Sequence, residues 1–372
     1  MKKNVYMDAA ASWLKPQSVI ESTVDFLTNH YANAGRGICE RAGRVDSMVA
    51  DARCKVADFI GAQPENIVWT SGATDGLNRI VGIVSSQSWY DEKSVFAVSD
   101  LDHHSARMPW ENLLCAGKIG QEFVCDLDKN FNIKTDSIPK TDFLVITAMS
   151  NVLGCAQDVA GIISAARSKN PDVITIVDAS QYVAHEKIDV KKWDCDFMVF
   201  SGHKIGADSG VGVLYIRDAD KYYPDKFGGG MVNKIVDVSN WILNKAPEKF
   251  EAGTLPLTQI IGLARAIDDL KKWSGSKELI HYMYDELSKI DRVRILTGRD
   301  ASMLTFVIDR MHPLDFGALM GVNDICIRVG NMCASWIHKK LGIDGSIRLS
   351  CGPWNTMEDA RYVIEAIRKS VK

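Results

Sequence analysis

The chain has 372 residues, 46% of them hydrophobic and 24% charged, with only 10 prolines. That is the profile of a folded globular protein, not of a disordered or fibrous one, and a prior of about 100–200 residues per domain points to two units. Lys and Arg total 44 against 47 Asp and Glu, a net charge of −3 without long like-charge runs, which argues against nucleic-acid binding. The opening MKKNVYMDAAASW reaches Asp8 before any apolar stretch suited to a signal peptide, and no membrane-length apolar run follows, so a cytoplasmic location with no membrane partner is expected. Nine cysteines without a CxxC pair signal neither a disulfide framework nor a metal site.

Amphipathic segments around Val19–Thr28 and Val45–Ile60 come first and could join either unit. From about Glu65 to Arg217, short apolar runs alternate with stretches of helical spacing. NIVWT, SVFAVS, DFLVITA, DVITIVDAS, DFMVFS and GVLYIR read as strands, and Gly72–Ser85, Ala106–Ala116 and Val159–Lys169 as helices. This is the α/β pattern of a mainly parallel sheet covered by helices. Beyond about Gly253, helices over Leu257–Lys272 and Lys277–Ile290 precede strands at Val293–Leu296, Met303–Ile308, Ile325–Val329 and Ile347–Ser350, then a closing helix over Met357–Lys369. The expected division is a larger unit over 1–252, the N-terminal segment included, and a smaller α+β unit over 253–372, with that segment free to pack on the smaller one.

In such sheets ligands sit beyond the carboxyl ends of the strands, so the polar residues that follow each apolar run are inspected first. After IVWT comes SGATDGLN, whose small residues open a helix with free N–H groups suited to a phosphate. DVITIV is followed by DASQ, presenting Asp178 and Gln181, and FMVF by SGHK, presenting Ser201, His203 and Lys204. A lysine able to form a Schiff base, a carboxylate for a pyridine nitrogen, and hydroxyl and imidazole groups for a phosphate together suit pyridoxal phosphate. DLDHHSARMPW presents His103 and His104, fit for ring stacking and proton transfer, and MSNVLG presents Asn151.

This constellation resembles the class V aminotransferase group of fold-type I, pyridoxal-phosphate-dependent transferases, and within it the cysteine desulfurases of the SufS-like (group II) type. The matching pieces run nearly end to end: YMDAAAS from Tyr6, GATDGLN, DHHSARMPW, SNVLG, DASQ, CDFMVFSGHK, GVGVLY, GGGM, FEAGT at 250–254, RVGNMCA at 328–334 and RLSCGPWNT at 348–356. The resemblance implies a large domain with a mainly parallel sheet and a smaller C-terminal domain. It makes Lys204 the Schiff-base lysine, Asp178 the partner of the pyridine nitrogen, Gln181 a donor to the phenolic oxygen and His103 the stacking base. Thr74, Ser201 and His203 would hold the phosphate, with Thr254 supplied by the second subunit of a homodimer. Asn151 and Arg348 would bind the substrate carboxylate, with Arg328 helping.

Cys333 matches the family's nucleophile, and Arg328 five residues earlier would favour its thiolate. The implied reaction converts L-cysteine to L-alanine, leaves sulfur on Cys333 as a persulfide and passes it to an acceptor protein, as in iron–sulfur cluster assembly. A selenocysteine lyase, another carbon–sulfur lyase or an epimerase in which Cys333 is structural is the alternative within the fold, and a non-catalytic carrier scaffold a different class. The chain departs from the family at Asn331 and Met332, where the family has two histidines, around Arg36, flanked by Gly35 and Cys39, and in IGADSG after Lys204.

Overall fold

The computed structural model describes residues 4–35, 37–238 and 240–371; Arg36, noted above, lies outside the described residues, as do Lys2 and Lys3. The chain begins with the short strand β1 (Val5–Tyr6) and helices α1 (Gln17–Asp25) and α2 (Glu40–Ile60). There follow β2 (Ile67–Thr70), α3 (Ala73–Ser85), β3 (Val95–Ser99), α4 (His104–Cys115), β4 (Gln121–Cys125), β5 (Phe143–Thr147), α5 (Val159–Lys169), β6 (Ile174–Asp178), α6 (Val190–Trp193), β7 (Phe197–Ser201) and β8 (Gly212–Ile216). A hairpin of β9 (Val232–Asp237) and β10 (Asn240–Leu243) leads to α7 (Leu257–Leu270) and α8 (Lys277–Leu287). The last fifth holds β11 (Val293–Ile295), β12 (Leu304–Ile308), α9 (Pro313–Val322), β13 (Ile325–Cys326), β14 (Arg328–Gly330), α10 (Ser335–Leu341), β15 (Ser346–Leu349) and α11 (Met357–Val371).

A seven-stranded sheet has the order β2-β8-β7-β6-β5-β3-β4. Only β8 runs antiparallel to its neighbours, so β2, β3, β5, β6 and β7 all end at one edge. Residues of β5, β7 and β8 are buried throughout, as expected of strands sandwiched between two helical layers, and that is why their apolar runs are continuous. Two apolar cores flank this sheet, one built with α3 and α4, the other with α2, α5 and α7. Helix α7 thus packs with the large-sheet core although it follows residue 253.

A second sheet, β11-β12-β15-β14, is antiparallel and packs under α8, α9 and α11. The segment expected as one strand over Ile325–Val329 divides: β13 pairs with β1, while β14 pairs with β15 and sets Arg328 opposite Arg348. The N-terminal segment is held there by β1 and by a bridge from Asp8 to Ser350. It then crosses to the large sheet, where Trp13 N–H donates to the His203 carbonyl at 3.0 Å.

Candidate active site

A cavity of about 220 Å³ opens where β2, β3, β5, β6 and β7 end. Each strand delivers its following polar residues there, as the parallel arrangement dictates. Among the lining residues are Thr74, His103, Asn151, Asp178, Gln181, Ser201, His203 and Lys204, the greater part of the residues expected from the sequence. Cys333, Arg328, Arg348 and Thr254 are not among them.

The turn from β2 into α3 is set by close backbone approach. Gly72 has φ +154°, and a Cβ at Gly212 on β8 would lie 2.5 Å from the Gly72 Cα. With no side chain on either, Ser201 Oγ can accept the free Ala73 N–H at 2.8 Å, and Thr74 Oγ1 sits 2.8 Å from Ser105 Oγ. Hydroxyls and the start of a helix therefore converge at one corner, the arrangement suited to an anion.

At the β6 end Asp178 is buried, and its Oδ1 accepts from the Ser180 N–H at 2.9 Å and the Ser180 hydroxyl at 2.5 Å. Across the cavity Lys204 Nζ donates to the Ala10 carbonyl at 2.6 Å, which also receives Gln181 Nε2 at 2.7 Å. Burial, reinforced by the Arg348 charge and opposed by Asp178, pulls the Lys204 amine down to about 8. His203 is pulled down to about 4 by burial, with the Lys204 charge adding to it. The His103 imidazole is also lowered by burial against the pull of Asp178, and its Nδ1 accepts the Ser105 N–H at 3.1 Å, capping α4. Behind them Asp102 accepts the Ser99 and Thr147 N–H groups at 2.6 and 3.1 Å, and burial pushes it up to about 6.

Cys333 is exposed on a loop whose Met332 and Cys333 have φ of 51° and 53°, both left-handed. That costs L-residues about 1–2 kcal/mol each. Residues of the cavity rim hold the loop there. Asn151 Nδ2 donates to the Met332 carbonyl at 2.7 Å, and the His104 N–H to the Cys333 carbonyl at 2.8 Å. His104 Nε2 accepts the Ser335 N–H at 3.2 Å, lies 3.1 Å from the Ser335 hydroxyl, and its ring meets Trp336 edge-on at 5.1 Å. Cys125, Cys195 and Cys351, by contrast, are buried, and burial pushes each thiol up to about 12.

Arg348, buried on β15, donates Nη1 to the Asn151 carbonyl at 2.6 Å and Nη2 to Asp8 at 3.1 Å. Its Nε, the Asn151 Oδ1 and the Thr147 Oγ1 are buried without a hydrogen-bond partner among the described residues. Arg328 pairs with Asp8. Thr254 lines a different cavity with Arg53, Gly229 and Glu251. The sequence reading passed over Asp8, Ser105, Ser180 and the Ala10 carbonyl. All four lie inside motifs quoted above, Ser105 in DHHSARMPW, Ser180 in DASQ, and Asp8 and Ala10 in YMDAAAS, but nothing in those motifs assigned them a contact.

The cavity fits pyridoxal phosphate on its own chemistry. It would hold an aromatic ring with substituents, since about 150 Å³ already accepts benzene. It offers a buried low-pKa amine, a buried carboxylate, and hydroxyl and N–H groups at a helix start, with an amide oxygen and a threonine hydroxyl left unpaired at its edge.

The aminotransferase class-V family model matches residues 5–363, and the chain belongs to that family. A probable cysteine desulfurase of Vibrio cholerae serotype O1 is 33% identical over 382 residues, covering 99% of this chain and 93% of its own. The apo structure of the cysteine desulfurase from Thermococcus onnurineus NA1 superposes with a TM-score of 0.92 at 28% identity, over 99% of this chain and 94% of that one. The S-sulfonic acid form of the cysteine desulfurase CsdA from Escherichia coli gives 0.90 at 30% identity, with the same two coverages. The fold is thus the type I architecture of pyridoxal-phosphate-dependent enzymes, the family's cofactor.

Proposed function

We propose that this protein is a pyridoxal-phosphate-dependent cysteine desulfurase that converts L-cysteine to L-alanine and captures the sulfur on Cys333. The observation that carries the reading is the tie between the two halves of the site. The loop bearing an exposed Cys333 is fastened, through Asn151 and His104, to the rim of the cavity that holds Lys204 and Asp178. The desulfurase relatives favour this reading over a lyase or epimerase with a structural Cys333.

Lys204, Asp178, Gln181, His103, Thr74, Ser201 and His203 would hold the cofactor, which supplies an electron-accepting ring that stabilises negative charge at the substrate Cα. Lys204, neutral at mildly alkaline pH, takes the Cα proton. Arg348 and Asn151 hold the substrate carboxylate, and Arg348 Nε is without a hydrogen-bond partner among the described residues. The Cys333 thiolate attacks the substrate sulfur, the carbon–sulfur bond breaks with its electrons left on carbon, and His103 returns the proton that completes alanine. The sulfur then passes as a persulfide to an acceptor protein.

Finer parts of the reading are a group II assignment, a homodimer, a cytoplasmic setting and service to iron–sulfur cluster assembly. For the dimer, Ile235, Val238 and Trp241 on the β9–β10 hairpin are exposed, and Thr254 lines a cavity other than the one around Lys204. For the setting, no helix among the described residues is long and apolar enough to cross a membrane. The two-unit division at about residue 253 separates the two sheets.

The test is alanine formation from L-cysteine by the loaded protein with a thiol reductant, beside the Cys333→Ser variant. Alanine from the parent alone supports the proposal. Equal activity in both removes Cys333 from the reaction, and no alanine from either overturns cysteine as substrate.

A further inference from the structure

Helix α10 begins two residues after Cys333, so the seat of α10 decides where that thiol stands. Its side toward α4 is held at the half-buried Trp336. The Arg107 guanidinium lies over the Trp336 indole, 4.4 Å from the ring centroid, and His104 meets the same indole edge-on at 5.1 Å. One turn further along α10, Lys340 Nζ reaches Asp100 Oδ2 at 2.9 Å.

Arg107 is itself buried, and acids fix its orientation. Its Nε lies 2.8 Å from an oxygen of Glu111 and of Glu122, and its Nη2 donates to Glu122 at 3.1 Å. Its Nη1 is buried 3.9 Å from Asp100, with no hydrogen-bond partner among the described residues. The carboxylates thus grip the edge of the guanidinium and leave its flat face to the indole, the aromatic ring on which a cation rests best. Asp100, facing both Arg107 and Lys340, ties the two contacts of α10 together.

We propose that Trp336, seated on Arg107, is a positioning residue for the Cys333 nucleophile. The stack holds α10 against α4 and so keeps the thiol within reach of the cavity, among whose lining residues Cys333 is not found. The proposal rests on the reading of Cys333 as the sulfur acceptor. The path from ring to thiol is short. The His104 N–H opens α4, where an amide has no acceptor within its own helix, and it donates to the Cys333 carbonyl at 2.8 Å. Release of Trp336 frees α10 to carry the Cys333 carbonyl away from that amide, and a displacement of about 1 Å is enough to slow a reaction about 100-fold.

The experiment compares the holoenzyme with Trp336→Phe, which keeps an aromatic face over Arg107, and Trp336→Leu, which keeps apolar bulk without one. The first turnover is read as alanine formed from L-cysteine without a reductant, and the loop contact as hydrogen exchange at the His104 amide. Trp336→Leu is expected to slow the first turnover about tenfold and to speed His104 exchange by a similar factor. Its steady-state KM for L-cysteine and its cofactor absorbance should match the parent, and Trp336→Phe should recover the larger part of both losses. Parent-level turnover and exchange in Trp336→Leu would overturn the proposal. So would equal losses in the two variants, which assign the effect to ring volume, or a shift in KM or cofactor absorbance as large as the loss.

Should Trp336→Leu fail to fold, Arg107→Lys takes its place, since it retains a charge beside Glu111 and Glu122 but has no planar group to lie on the ring. The same losses are expected, and parent-level turnover and exchange would overturn the proposal. If the parent forms no alanine from L-cysteine, the desulfurase reading fails, while His104 exchange alone still supports or overturns the seating of the Cys333 loop by Trp336.

Discussion

Replacing His104 by Ala removes the side chain that pins the Cys333 loop, and the structure sets the size of the effect. The substitution deletes the acceptor for the Ser335 N–H at the start of α10, worth about 1 kcal/mol by analogy with helix caps, and an edge-on contact with Trp336, worth about 1 kcal/mol. Against that total of about 2 kcal/mol stands the left-handed backbone at Met332 and Cys333, at about 1–2 kcal/mol per residue. The two are comparable, so without the ring the loop should leave its strained conformation. At 1.4 kcal/mol per factor of ten, about 2 kcal/mol corresponds to a roughly 30-fold rise in local opening. Hydrogen exchange followed by mass spectrometry or NMR should show the Ser335 amide exchanging about 30-fold faster, with alanine formation falling while cofactor absorption is unchanged. His104→Asn, which retains an acceptor, should recover part of the protection. Ser335 exchange and alanine formation both at parent levels in His104→Ala would refute the clamp.

Three further outcomes follow from the same geometry. Because burial places the Lys204 amine at about 8 instead of about 10.5, covalent loading with pyridoxal phosphate should accelerate as pH rises through about 8 and level off above it, measured by absorbance; a rise centred near 10 would contradict the site's electrostatics. Gly212→Ala would drive a methyl group to 2.5 Å from the Gly72 backbone, so we expect a loss of about 1–3 kcal/mol in denaturant melts together with weaker cofactor retention. Glu251→Gln leaves the Arg53 charge beside it without its counter-charge where both side chains are largely buried, although the Ile67 carbonyl still accepts from Arg53; Glu251 also accepts the Trp69 N–H, and a loss of about 3 kcal/mol is expected by the same melts.

The strands that form the site were legible because burial on both faces of a parallel sheet demands unbroken apolar runs such as FLVIT and FMVFS. Once those strands were placed, Asp178, Ser201 and Lys204 followed from their positions just beyond strand ends. Strand β4, QEFVC, was missed because it lies at the sheet edge and only Cys125 is buried. The β9–β10 hairpin was missed for a related reason: it contributes no buried residue to any core, so no periodicity is imposed on it. The splitting of Ile325–Val329 into β13 and β14 depends on β1 and β15 competing for adjacent residues, which a local pattern does not encode. Asp8 illustrates the same limit at the site. Its partners lie 320 and 340 positions along the chain, and His104 meets Ser335 across 231, so their roles exist only once the two sheets are assembled.

The crossing of the N-terminal segment over the cavity also fixes when the site can first exist during synthesis. Ala10, whose carbonyl meets Lys204, is itself tethered by its N–H to the Ser350 hydroxyl at 2.9 Å, a pairing of the first and last parts of the polypeptide. At roughly 5–20 residues per second, a ribosome needs roughly 7–30 s to extend the chain from Lys204 to Ser350, and throughout that time Lys204 and Asp178 belong to an unfinished pocket. Closure of this pocket is therefore a late event, reserved for chains extended through Ser350, and a translation product that stops between Lys204 and Ser350 would lack this tether of the Ala10 segment.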